Sequence, residues 1–171
     1  MGKRSRGLPP IEGKKARVLI LGTMLGAESL RRREYYAHGR NAFWGFMGQL
    51  GVEGRSYSAR CAQLRKRGIA VWDVLASCER KGSSDSKIRS PKPNDIAGFV
   101  RRHPELRLVA FNGKKAEDLF WRLCDDLPEG VEAVWLPSTS PANARPGKSE
   151  AWLRALRPAL ARGRRSTPRH P

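Results

Sequence analysis

Residues 35–44, YYAHGRNAFW, crowd Tyr35, Tyr36, His38, Asn41, Phe43 and Trp44 around a single arginine, Arg40. Aromatic faces, amides and positive charge in one stretch suit a base, a sugar and a phosphate. Asn41 has no useful pKa, so its amide can orient a water or a hydroxyl but cannot act as a strong base. The structural alternative is that Asn41 caps a helix over 41–50, a common use of asparagine. Asp73 is the one acid in the otherwise apolar run 69–75, where an unpaired charge is costly. It either meets a ligand, caps the next turn or pairs with an arginine. Asn112 precedes Gly113 after a third apolar run, as a functional amide or an Asn-Gly turn. Further on, LPSTSPANARPGK offers the hydroxyls of Ser138, Thr139 and Ser140, followed by Asn143, Arg145 and Lys148. Hydroxyls, loop amides and cations suit phosphate oxygens, although a Ser/Pro-rich turn needs no ligand.

The elements that must position these residues follow from patterning. Apolar runs at 17–22, 69–75, 106–111 and 131–136 read as strands. Helices are expected at 28–34, 41–50, 57–67, from an Asn94 cap to 102, at 114–126 and at 149–161. Residues 79–93 read as a loop. Strands alternating with helices imply a parallel sheet covered on both faces. All four strand ends then point one way, and each is followed by a polar cluster: 22–44, 73–79, 112–113 and 137–143. The carboxyl edge of an open α/β sheet is where ligands bind. Two familiar phosphate motifs are absent. GTMLG lacks the G-x-G-x-x-G spacing, and FNGKKA lacks the upstream glycine of a P-loop.

At 171 residues, 39% hydrophobic, the chain is long enough for one domain with a real core. A basic stretch at 1–15 reads as a flexible arm, 16–161 as the domain, and 162–171 as a disordered basic tail. The N-terminus lacks the apolar core of a secretory signal, and no run is long enough to span a bilayer. A cytoplasmic monomer is expected. Thirty-four Lys and Arg against sixteen acids give a formal charge of +18. That balance is the footprint of a nucleic-acid binder, with steeply salt-dependent affinity; a merely solvated basic surface is the alternative. Cys61, Cys78 and Cys124 are widely spaced and read as buried thiols, and neither they nor the three histidines cluster into a metal site.

In order and along nearly the whole chain, the four clusters resemble the uracil-DNA glycosylase superfamily. The strand entering GTMLG, the segment YYAHGRNAFW, the strand ending in FNGKKA and the run LPSTSPAN carry the likeness. With AVWDVLASCERKGSSDSKIR it is most similar to the hypoxanthine-DNA glycosylase branch. The resemblance implies a three-layer α/β/α sandwich around a four-stranded parallel sheet. It implies a monofunctional DNA glycosylase that flips a deaminated base out of DNA, hydrolyses its N-glycosidic bond and needs no cofactor. The branch's two functional asparagines map onto Asn41 and Asn112. Gly22, Thr23, Met24, Tyr36, Phe43 and Asp73 map onto the base pocket. Tyr36 corresponds to the aromatic that stacks on the base, and Asp73 could accept the N1–H of hypoxanthine. Phe43, at helical spacing with Met47, also reads as core. Ser138, Thr139 and Ser140 fall in the motif that pinches the DNA backbone. Leu25 stands where the family's first turn usually has proline, and Gly39 where another proline is frequent.

Overall fold

The computed structural model describes residues 3–161. Its centre is a four-stranded parallel sheet in the order β3-β2-β6-β7. The strands are β2 (Val18–Gly22), β3 (Ile69–Asp73), β6 (Leu108–Asn112) and β7 (Glu132–Leu136). Every residue of β2, β3 and β6 is buried. Successive side chains of a strand point to opposite faces, so both faces are covered, and this is why these strands read as unbroken apolar runs. The helices are α1 (Ala27–Arg32), α2 (Phe43–Gln49), α3 (Tyr57–Lys66), α4 (Ile96–Arg102), α5 (Lys114–Leu123) and α6 (Lys148–Ala161). α3 packs on β3, α5 on β6 and β7, and α6 on β2, β7 and α2. The expected α/β/α sandwich is the observed one.

Each parallel strand ends in a polar residue or a turn. Gly22 of β2 pairs in register with Asp73 of β3, and Asn112 of β6 with Leu136 of β7. One edge therefore collects the strand ends, as the alternation requires.

Three expectations are corrected. The arm at 1–15 is built into the fold over its described residues. β1 (Arg4–Arg6) pairs antiparallel with β4 (Leu75–Glu79), and Ile11 exchanges backbone hydrogen bonds with Val71 at 2.8 and 2.9 Å. Leu8 and Ile11 are buried, and the Leu8 carbonyl accepts from Trp72 Nε1 and from the Tyr35 hydroxyl. Basic composition concealed these two apolar anchors, whose burial offsets the entropy of ordering the arm. The apolar run at 69–75 breaks at Val74, whose N–H donates to the Gly22 carbonyl, and the chain continues as β4. Residues 79–93 are not merely a loop: a 3-10 turn (Asp85–Lys87) leads into β5 (Arg89–Pro93), giving a second, antiparallel sheet β1-β4-β5. Pro91 and Pro93 sit on its edge strand, where a missing N–H costs least.

At α4 the cap is Asp95, whose Oδ1 accepts from Gly98 N at 2.9 Å. Asn94 instead donates Nδ2 to the Asp73 carbonyl at 2.8 Å and ties down the end of β3. Among the described residues Cys61 and Cys78 are buried free thiols and Cys124 is half-buried. The expected disordered tail at 162–171 lies outside the described residues.

Candidate active site

At the carboxyl edge of the parallel sheet lies a cleft of about 510 Å³. Its lining comes from all four polar clusters: Gly22, Thr23 and Met24; Tyr36, His38 and Asn41; Asp73; Asn112; and residues 138–143. Segments far apart in sequence meet here because the parallel strands all end on this edge.

Gly22 lets the walls approach. A Cβ there would lie 2.5 Å from Asp73 Oδ1 and 3.2 Å from the Tyr36 hydroxyl. Any side chain would push the acid and the tyrosine apart.

Asp73 is 4% exposed, and its Oδ2 has no hydrogen-bond partner among the described residues. Burial, with some help from nearby Asp85, pushes its pKa up to about 7, against the pull of Arg80 and the Leu25 amide. Arg80 does not neutralise it directly. That guanidinium is committed to Asp85 at 3.1 Å, to the Leu25 carbonyl and to the Ser83 carbonyl at 3.4 Å. Arg80 thereby holds the turn that carries Leu25 in place of the family's proline. Ser83 Oγ accepts from Ala27 N at 2.9 Å and fixes the start of α1. Sequence reasoning missed Arg80 as a site residue. Its only signal was a cation directly after a strand of otherwise buried character.

Tyr36 takes a left-handed backbone conformation, φ 53°. Its ring stacks on Phe43 with centroids 4.1 Å apart and an interplanar angle of 24°. Phe43 is fully buried, braced by Trp44 and Trp152, and does not line the cleft. The expectation that Phe43 contacts a base is therefore corrected: Tyr36 faces the cleft and Phe43 supports it from behind. Burial and the Asp73 charge raise the Tyr36 pKa, so its hydroxyl stays protonated at neutral pH.

Asn112 is buried and clamped by three hydrogen bonds. Oδ1 accepts from Thr139 N at 2.9 Å, and Nδ2 donates to Thr139 Oγ1 at 2.9 Å and to the Tyr36 hydroxyl at 3.1 Å. Both amide hydrogens are thus engaged within the protein. Asn112 ties β6 to the 137–143 loop and to the cleft tyrosine.

Asn41 lines the cleft and does not cap α2, whose N-cap is Ala42; its side chain shapes the turn just before the helix. Oδ1 accepts from Phe43 N at 2.9 Å at the entry to α2. Its Nδ2 donates to no protein group among the described residues, and Oδ1 keeps a second lone pair. His38 Nδ1 accepts from Arg40 N at 3.1 Å and shapes the same turn.

The 137–143 loop is held by α6, since Trp152 Nε1 donates to the Pro137 carbonyl at 2.9 Å. Ser138 Oγ accepts from Ser140 N, and Ser140 Oγ from Ala142 N, and both serines line the cleft. Two expected phosphate ligands turn inward. Thr139 is 1% exposed; its hydroxyl and N–H are engaged by Asn112, and its carbonyl by Ala42 N. Lys148 is buried with Nζ donating to the Asn143 carbonyl at 2.6 Å, and burial lowers its pKa. Both residues hold the loop in shape. Arg145 and Arg40 line the adjoining groove, where exposed guanidinium groups remain for an anion.

Among the described residues no His, Cys, Asp and Glu cluster could hold a metal, and no helix is long and apolar enough to cross a membrane.

Comparisons with known proteins agree on one family. The uracil DNA glycosylase superfamily profile matches residues 9–161. A curated hypoxanthine DNA glycosylase of Methanosarcina acetivorans is 35% identical over 147 residues, 84% of this chain and 91% of the relative. Another, from Methanosarcina barkeri, is 33% identical over 159 residues, 90% and 99% of the two chains. The solution NMR structure of a candidate uracil DNA glycosylase from Methanosarcina acetivorans superposes with a TM-score of 0.78 at 33% identity, covering 92% of this chain and 99% of that one.

Proposed function

The chain belongs to the uracil DNA glycosylase superfamily, and on that premise we propose that it is a monofunctional DNA glycosylase that excises hypoxanthine from deoxyinosine in DNA, leaving an abasic site. One observation carries the reading. In a chain 35% identical to a hypoxanthine DNA glycosylase, the acid, the tyrosine and both asparagines gather on a single cleft of about 510 Å³, large enough to admit a flipped nucleotide. Action as a monomer on DNA in the cytoplasm is part of this proposal.

The flipped base lies against Tyr36, whose ring is kept in place by Phe43 behind and Asn112 at its hydroxyl. Stacking of this kind contributes about 1–3 kcal/mol per base. Asn41 positions the attacking water or a sugar oxygen with the amide valences left over from its turn. The pinching loop presents Ser138 and Ser140 to the DNA backbone, and Arg40 and Arg145 neutralise phosphates. The chemistry asks for water, orientation and stabilisation of the leaving base. Nothing in it calls for a cofactor.

The test is release of free base from an oligonucleotide with one deoxyinosine, read by alkaline cleavage of the abasic site, beside a deoxyuridine strand. Asn41→Ala is expected to slow inosine excision on the order of 10²–10³-fold, the usual cost of a well-placed polar group. Excision of uracil alone would move the substrate within the superfamily. No release of either base from DNA that still binds would refute the enzyme reading.

A further inference from the structure

We propose that Asp73 works as a neutral carboxylic acid that reads the N1–H and O6 edge of hypoxanthine and donates a hydrogen bond to O6 as the base departs. This inference rests on the hypoxanthine-excising function proposed above.

The geometry is specific. Asp73 ends β3 on the cleft floor, pressed against Gly22 of the neighbouring strand. It is almost fully buried, and Oδ2 has no partner among the described residues. An orphan buried oxygen is costly and rare unless a ligand completes it. The charged and titratable groups facing it come from several elements. Arg80 and Asp85 are paired with each other, and Asp85 also lines the cleft. Tyr35 and Tyr36 lie above, both with pKa values raised by burial and by this carboxyl. Glu28 of α1 and His38 stand on the cleft wall. Among the described residues no cation is bonded to Asp73, and Asp85 opposes its ionisation.

A carboxylate only accepts hydrogen bonds. A neutral carboxyl offers an O–H donor beside a C=O acceptor. Hypoxanthine presents the complement, an N1–H donor beside the O6 acceptor. The neutral acid therefore makes two hydrogen bonds where a carboxylate would make one and repel O6. During hydrolysis the electron pair of the C1′–N9 bond passes into the purine, and part of that charge collects on O6. Water adds to C1′, and the proton it releases returns to the base through solvent, so Asp73 ends as it began. A donor preset at O6 is worth most as the charge develops, because it needs no reorganisation. Acids kept neutral by apolar burial serve elsewhere as such donors.

The experiment is single-turnover excision of hypoxanthine from pH 5.5 to 9 by the full chain and three variants. Wild type should lose rate about tenfold per pH unit once Asp73 ionises. Asp73→Asn carries a permanent donor and acceptor in the same shape, so it should keep excising and lose that alkaline limb. Asp73→Ala should be slow at every pH. His38→Gln, a change on the cleft wall away from Asp73, should retain the limb. An alkaline limb that persists in Asp73→Asn, or an Asp73→Asn as slow as Asp73→Ala while folded, overturns the inference and leaves the glycosylase reading intact. A wild type that releases no base removes both. Should Asp73→Asn not fold, a carbon-13 titration of the wild-type Asp73 carboxyl decides: ionisation complete below pH 6 overturns the proposal.

Discussion

Replacing Asn112 separates a strut from a chemical group. Asn112→Ala removes three buried or half-buried hydrogen bonds of 2.9, 2.9 and 3.1 Å. At about 1 kcal/mol net for each, the loss is about 3 kcal/mol, with more from the buried Thr139 N–H left unpaired. For a domain of this size, 1 kcal/mol moves Tm by about 2–4 °C, so a fall of about 6–12 °C is expected. Asn112→Asp behaves differently. One carboxylate oxygen still accepts from Thr139 N, and the other accepts from the Thr139 and Tyr36 hydroxyls once these rotate. Burying that charge offsets part of the gain, so its stability should lie between those of the alanine variant and wild type. Thermal unfolding by circular dichroism and single-turnover excision of deoxyinosine would be measured on all three proteins. If Asn112 acts by holding Tyr36 and the 137–143 loop, excision collapses in the alanine variant and is largely restored in the aspartate one. A Tm within about 2 °C of wild type for Asn112→Ala would refute the clamp. An aspartate variant that is stable yet inactive would return Asn112 to direct chemistry.

Three further outcomes follow from the same geometry. Gly22→Ala places a methyl 2.5 Å from Asp73 Oδ1; excision should drop far more than DNA affinity, measured by single-turnover kinetics beside a binding titration. Ile11→Ala, at a position 4% exposed, should cost about 2–4 kcal/mol by denaturant unfolding, as core truncations do; a mobile arm would cost nothing. Asp73 has a native pKa of about 7, above its unfolded value, so the folded state holds its proton more tightly. Its contribution is complete at low pH and is lost as pH rises towards 7, leaving a penalty of a few kcal/mol above that. The melting advantage of Asp73→Asn over wild type should thus be larger at pH 8 than at pH 5, and an equal difference at both would show that the buried carboxyl carries no such penalty.

The sequence by itself determined the parallel sheet, because strands buried on both faces must be apolar along their length, as β2, β3 and β6 are up to the terminal Asp73 and Asn112. It also placed Gly22, Asp73 and Asn112 at strand ends, and strand alternation alone puts those ends on one edge. What it could not assign were the roles of individual side chains on that edge. Thr139 and Lys148 carry the groups that bind phosphate, yet burial turns both inward, and only packing reveals which way a side chain faces. Phe43 and Tyr36 are both aromatic, and their division into support and cleft wall depends on the left-handed turn at Tyr36. The arm was misread because Leu8 and Ile11 are two apolar residues among basic ones. Their partners, Val71 and Trp72, lie some sixty residues away. Arg80 escaped notice for the same reason: its partners Leu25 and Asp85 converge on it only after the sheets have formed. Local pattern fixes which elements exist, and long-range contacts decide what each polar group at their ends is left free to do.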